Sequence, residues 1–370
     1  MMRNSCYDLD RGPLFPGSPI LVTTQPSGGD LAKLGAPPKP TADRKRSRDG
    51  RTAAGVPSAV VALDDGAVSP PPSRAAAMLS FAVDPEKVAA GLAEEQNLWR
   101  LMGLDVPTLR ERARAGAIAS KPLLDDVKTL CLFIGYQRSG HSLVGSLLDA
   151  HPQMAIAHEL DALFYLKHGF HPREILYLML EVSRMHGQIG RRWGEYTYHV
   201  PGQWQGRHTQ LEVIGDKKGG MTTMRIARNP ALLKQVMTRF GKRKRFIHVL
   251  RNPYDNIAAM VQHGQSLKAA IAEYFKLLGT NRAIIKRVGA DAVATLHHED
   301  LVADPRGELS RLCEFLGVTA APDYLEACAS IVFAAPRQPR HKILWHPEIL
   351  RMLERRIAAK PMIERYRFAD

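Results

Sequence analysis

The chain has 370 residues, 45% of them apolar, which suits one large α/β domain or two small ones and rules out a purely disordered or fibrous protein. Lysine and arginine outnumber aspartate and glutamate by 51 to 37, a formal charge of +14, so the surface draws anions such as nucleotides, sulfated sugars, nucleic acid or acidic lipid. Cys6, Cys131, Cys313 and Cys328 are far apart with no CxxC pair, which argues against a zinc knuckle or a disulfide framework and for a reducing compartment.

From Met1 to about Arg74 the sequence is rich in proline, glycine, serine and alanine, with a basic cluster at Arg44, Lys45, Arg46, Arg48 and Arg51. Too little periodic apolar surface is present to offset ordering entropy, so residues 1–74 read as a disordered tail. Its first 30 residues lack the basic start and apolar run of a secretory signal, and no window nears the roughly 18 to 20 apolar residues of a membrane span. Residues 75–126 read as a helical lead-in, with Leu98, Leu101, Leu104 and Leu109 spaced to share a face between Pro85 and Ala117.

A folded domain over 127–370 starts with the apolar run Val127 to Ile134, of strand length, which breaks into Gly135 to Ser142 (GYQRSGHS) and a helix-like stretch to Ala150. Strands are expected again at Leu211 to Ile214, Phe246 to Leu250 and Ala292 to Leu296. Helices are expected between them at Met221 to Phe240, Pro253 to Val261 and Leu267 to Val288. The alternation predicts an α/β fold with a mostly parallel central sheet and helices on both faces.

In the first loop the amides of Ser139, Gly140 and His141 open a helix, where they and the helix dipole favour an anion. Arg138 adds a forked cation and Ser142 a hydroxyl. A plain N-cap by Ser139 or Ser142 is the alternative. A P-loop of a phosphate-transferring enzyme reads GxxxxGK[ST]; His141 stands in place of its lysine.

Ala157 to Asp161 (AHELD) follows the loop helix, and an HExxH zinc helix is excluded there because Ala162 occupies the second histidine's position. Tyr196, Tyr198, Trp204, Gln205 and Arg207 suit either an acceptor-binding lid or a packed connecting loop. Leu211 to Gly220 (LEVIGDKKGG) ends in Asp216, Lys217 and Lys218, where a lysine can neutralise charge on a departing oxygen, Lys218 reads as solvated and Asp216 can orient one of the two lysines. Phe246 to Met260 is a buried strand ending in Arg251, then Asn252, Pro253 and a helix. A cation at the carboxyl edge of a parallel sheet is where ligands bind, so Arg251 is placed to grip a second phosphate. Arg337, Arg340, His341 and Lys342 either reach that phosphate or form a solvated basic loop.

Arg138-Ser139-Gly140-His141-Ser142-Leu143, followed by Leu148-Asp149-Ala150-His151-Pro152, resembles the 5′-phosphosulfate loop and following helix of PAPS-dependent sulfotransferases, nearest to the tyrosylprotein and bacterial carbohydrate branches. Arg251 looks like the arginine of that family's 3′-phosphate motif, although the serine eight residues later is here Ala259. His298-Glu299-Asp300-Leu301, Asp304-Pro305 and Phe315-Leu316-Gly317 resemble later landmarks, so the likeness spans about residues 127 to 318.

The resemblance implies a P-loop-like nucleotide-binding fold and a metal-independent, in-line transfer of a sulfuryl group from PAPS (3′-phosphoadenosine 5′-phosphosulfate) to a hydroxyl or amine. Arg138, Ser139, Gly140, His141 and Ser142 are expected to hold the 5′-phosphosulfate, and Arg251 the 3′-phosphate. Glu159 aligns with the glutamate base of the tyrosylprotein branch, and His158, whose ordinary pKa needs less tuning, is its competitor. Lys217 matches the lysine that assists departure. The acceptor class, whether small molecule, carbohydrate or peptide, stays open, as does the oligomeric state. The lack of an N-terminal anchor favours a cytoplasmic enzyme, and nucleic acid is not expected as a partner. Two alternatives remain: an atypical P-loop kinase using ATP and magnesium, and a basic protein binding nucleic acid or another polyanion through its tail.

Overall fold

A computed structural model describes residues 104–193 and 196–370. The tail expected over 1–74 and the larger part of the lead-in lie outside the described residues.

Helix α1 (Val106–Ala119) is capped by Asp105, whose carboxylate accepts from Thr108 N, and α2 (Lys121–Asp126) leads into strand β1 (Thr129–Gly135). There follow α3 (His141–Asp149), β2 (Met154–His158), α4 (Ala162–Lys167), α5 (Pro172–Gln188) and a short antiparallel hairpin of β3 (Arg192–Trp193) and β4 (Tyr196–Thr197). Strand β5 (Val213–Lys217) precedes α6 (Gly220–Arg228) and α7 (Ala231–Arg239); the single helix expected over 221–240 is broken at Asn229-Pro230, because proline removes an amide and crowds the preceding turn. Then come β6 (Arg243–Leu250), α8 (Pro253–Gln262), α9 (Leu267–Val288) and β7 (Val293–His297). Four α-helices complete the described chain, α10 (His298–Ala303), α11 (Pro305–Leu316), α12 (Pro322–Ser330) and α13 (Pro347–Ala358), with a short 3-10 helix at Pro339–Lys342 before the last.

Strands β1, β2, β5, β6 and β7 form one five-stranded sheet in the order β2-β5-β1-β6-β7, parallel throughout, as the alternating pattern predicts. Strand β1 is buried along its whole length, and its side chains alternate between two cores. Leu130, Leu132 and Ile134 join a cluster with helices α1, α5, α6 and α7, while Cys131 and Phe133 join one with α3, α11 and α12. A third cluster packs Tyr136 and Leu250 with α8, α9, α13 and the residues that follow it. Cys131, Cys313 and Cys328 are free and buried.

Chain direction changes at β1: the chain runs outward on one side through β2, returns to fill β5, then crosses to β6 and β7. The crevice beyond the carboxyl end of such a strand is where open α/β sheets take ligands. No described helix is long and apolar enough to cross a membrane.

Candidate active site

Because the five strands are parallel, their carboxyl ends share one edge. His158 pairs with Lys217, Gly135 with Val249, and Leu250 with His297. The residues just beyond these ends, the loop from Tyr136 to Gly140, Glu159, Lys218, Arg251 and His298, therefore meet along one line. Arg138, Ser139, Gly140, Glu159 and Arg251, singled out in the sequence, lie along it, with Lys217 at the strand end beside them.

The loop after β1 wraps a filled interior. Ser139 is buried, and its Oγ lies 3.0 Å from the carbonyl of Tyr136 and 3.0 Å from His141 Nδ1. His141 turns inward, with Nε2 3.3 Å from the carbonyl of Ile134, and burial holds its ring neutral, pushing its pKa down to about 4. Two glycines make room for that ring: a Cβ on Gly219 would lie 2.6 Å from His141 Cε1, and one on Gly135 2.8 Å from Nε2. His141 thus presents its amide, not its imidazole, at the first turn of α3. Gly140 caps that helix at φ 96°, and Arg138, exposed, takes φ 63°. The first amides of α3 have no intrahelical carbonyl to reach, which leaves them for an anion.

Beside the loop lies an ion cluster. Lys217, at the end of β5, is buried and crosses α3 at Gly145, where a Cβ would come within 2.7 Å of its Cγ. Its Nζ donates to Ser142 Oγ at 3.0 Å and to Glu159 Oε1 at 2.6 Å. Lys218 Nζ stands 2.6 Å from the other oxygen, Glu159 Oε2. Burial alone pushes the Glu159 carboxyl up, but the two ammonium groups outweigh it and hold the pKa at about 2. Burial lowers the Lys217 ammonium despite Glu159, whereas at Lys218 the fields of Glu159 and Asp161 overcome burial and raise it.

His158 lies inside the sheet rather than at the mouth of the site. Its ring is buried, 3.5 Å from Lys217 Nζ and 4.8 Å from the His186 ring on α5, and burial together with Lys217 holds it neutral, well below the usual imidazole range. Glu159 retains 21% of its side-chain exposure. Asp216 touches neither lysine through a hydrogen bond: its carboxylate accepts from the amides of Leu160 and Ala162 at 3.1 and 2.8 Å and so braces the backbone that carries Glu159. Glu159 and Asp161 both take φ 66°, and Asp161 is fixed by Arg225 at 2.6 Å. Burial raises Asp216 to about 7.

On the other side of β1, Arg251 is buried at 9% exposure. Its Nη1 donates to the carbonyl of Arg138 at 3.1 Å and its Nη2 to that of Arg337 at 2.5 Å. The two basic positions expected to grip one ligand are thus in direct contact. Arg340 is not a solvated basic residue: it is 2% exposed and paired with Asp255 on α8 at 2.6 Å, which pins residues 331–346 over the sheet edge. Arg251 Nε, Arg340 Nε and Nη2, and His298 Nδ1 are buried without a protein partner. A Cβ on Gly140 would lie 2.8 Å from that His298 nitrogen. Such orphaned polar groups cost about 1–3 kcal/mol each, and donors of this kind next to an open helix terminus suit a polyanion. A cavity of about 290 Å³ opens here between Asn252, Asp255, Glu299 and Arg340 and, opposite them, Gln338 and Tyr366.

Lys218, His298 and Arg340 carry more of the site than their sequence context indicated. The first is adjacent to Lys217 and the second opens the HEDL run, so both signals were present, whereas Arg340 is tied to Asp255 across 85 residues. The stretch from Tyr198 to Arg207 packs as a connecting segment: buried Gln205 donates to the carbonyls of Ser146 and Tyr198 at 3.0 and 2.8 Å.

Comparison with known proteins matches residues 132–323 to the sequence profile described as Sulfotransferase family. Among curated proteins none matches the chain. Solved structures resemble it at low identity, among them three sulfotransferases. The sulfotransferase domain of the Synechococcus olefin synthase is 19% identical over 61% of this chain and 83% of its own, with a TM-score of 0.38. The sulfotransferase domain from the curacin biosynthetic pathway is 16% identical over 65% and 99%, with a TM-score of 0.42. A mouse sulfotransferase complexed with PAP is 14% identical over 65% and 88%, with a TM-score of 0.37.

Proposed function

Because the chain belongs to the sulfotransferase family, we propose that it transfers a sulfuryl group from PAPS to a hydroxyl or amine, with the donor lying along the sheet edge from Lys217 to Arg251. The observation that carries this reading is the hydrogen bond from Arg251 to the carbonyl of Arg138: one loop-sized ligand can touch both.

In this reading the amides of Ser139, Gly140 and His141, with Arg138 and Ser142 Oγ, hold the 5′ end of the donor, and Arg251 faces its 3′-phosphate. The donor supplies the sulfuryl group and leaves as adenosine 3′,5′-bisphosphate. Lys217 reaches the helix terminus through Ser142 and is placed to balance charge on the departing bridge oxygen. Glu159, more exposed than His158, takes the acceptor proton as the acceptor oxygen or nitrogen bonds to sulfur and the bond from sulfur to the bridge oxygen breaks. His158, neutral and buried behind Lys217, shapes the lysine's surroundings.

The absent P-loop lysine favours this reading over a kinase. Thermal denaturation with adenosine 3′,5′-bisphosphate in the presence of a chelator tests it: the melting temperature rises, and ATP with magnesium does not match the effect.

A further inference from the structure

Glu159 is held from both sides. Lys217 takes Oε1 from within the fold, at 1% side-chain exposure, and Lys218 takes Oε2 from the outer side, at 11%. Successive residues of an extended chain point to opposite faces, and Lys218 lies just past the last strand residue. Lys217 ends β5 and points across α3, so Lys218, the next residue, leaves the sheet on the other side. Two features hold the backbone around this pair. The amide of Glu159 donates to the carbonyl of Lys217 at 3.2 Å, and Gly219 and Gly220 turn the chain away at once, where a Cβ on Gly220 would lie 2.9 Å from the amide of Gln137.

We propose that Lys218 is a positioning residue for the reaction: it fixes the outward oxygen of Glu159 at the mouth of the site and sets how strongly that carboxylate takes up the acceptor's proton. The inference rests on the reading of Glu159 as the base. Lys217 also bonds this carboxylate, through Oε1, but it is turned inward to Ser142 and the departing group and leaves the outward oxygen to Lys218. Loosening Lys218 from Oε2 leaves that oxygen free and more basic, so an acceptor that displaces the ammonium meets the base it needs, while the carboxylate stays ionised in its absence.

Among the described residues, several charged and titratable groups face Glu159. They are Lys217, Lys218 and Asp216 on and after β5, His158 on β2, Asp161 in the loop before α4, His141 on α3 and His186 on α5. The three histidines are held neutral by burial, so they do not substitute for a lost ammonium.

The test follows the Glu159 carboxyl directly, by carbon NMR of protein labelled at glutamate Cδ, with adenosine 3′,5′-bisphosphate present and the resonance assigned by its loss in Glu159→Gln. In the unsubstituted protein the signal stays that of a carboxylate down to the acid limit of the fold. In Lys218→Met it acquires an inflection roughly one to three pH units higher, as loss of a close opposite charge requires. Lys218→Arg restores the original behaviour. An unmoved Lys218→Met titration, or an equal shift in Lys218→Arg, overturns the proposal. Release of adenosine 3′,5′-bisphosphate from PAPS with water as acceptor separates the two layers. If Glu159→Gln releases it as fast as the unsubstituted protein, the base reading fails and the role of Lys218 in the reaction fails with it, whatever the titration shows.

Discussion

The guanidinium of Arg251, at the end of β6, donates to the backbone carbonyl of Arg138 in the loop after β1, across 3.1 Å. A second bond, to the carbonyl of Arg337, ties the same group to the segment that crosses above it. Arg251 therefore braces two loops while its Nε lies buried without a protein partner.

Replacing Arg251 by alanine removes two charge-assisted bonds of about 1.5–3 kcal/mol each. Urea denaturation should show a loss of that order. Arg251→Lys should recover only part of it, because an ammonium lacks the planar fork that reaches both carbonyls.

Lys217→Met should lower the rate of the chemical step by roughly a hundredfold, the usual scale for removing a group aimed at developing charge. Single-turnover release of adenosine 3′,5′-bisphosphate checks it. Binding of that nucleotide should change far less.

The parallel sheet and its edge were legible in the sequence because the apolar runs at β1, β5 and β6 each end in a cation or a glycine loop, and that at β7 in a pair of histidines. Strand β2 was not, since Met154-Ala155-Ile156-Ala157-His158 is short and lacks β-branched residues apart from Ile156. His158, a competitor base by sequence, lies with its side chain buried within the sheet. Nor could the roles of Asp216 and His141 be read, since each depends on which way a side chain turns: Asp216 inward onto two amides, His141 inward between two glycines. An exposed lysine is the commonest kind, and only the meeting of β2 with β5 brings Glu159 to Lys218.

Acid should destabilise the fold before most of its carboxylates protonate. Burial lowers His141 and His298 from 6.5 to about 4, and His186 and His248 to about 3. Between those values and 6.5 the unfolded chain binds more protons than the folded one, so stability rises with pH there and is lost as pH falls. Asp216, raised to about 7, and Asp255, also raised by burial, act in the opposite sense, but the lowered histidines, His158 among them, outnumber them. Neither ring nitrogen of His248 has a protein partner, so His248→Phe should raise the urea midpoint more near pH 5 than near about pH 7.5.

Asp255→Ala should cost about 3–5 kcal/mol, because it strands the buried Arg340 guanidinium. Proteolysis within residues 331–346 should accelerate in the same variant, since Asp255 also accepts the amide of Arg340 at 3.1 Å.

One titration bears most directly on whether a single bisphosphorylated nucleoside spans the edge. Calorimetry with adenosine 3′,5′-bisphosphate and with adenosine 5′-phosphate measures what the 3′-phosphate contributes. The unsubstituted protein should prefer the bisphosphate, Arg138→Ala should weaken both ligands while keeping the preference, and Arg251→Ala should abolish it. A preference that survives intact in Arg251→Ala would contradict the account.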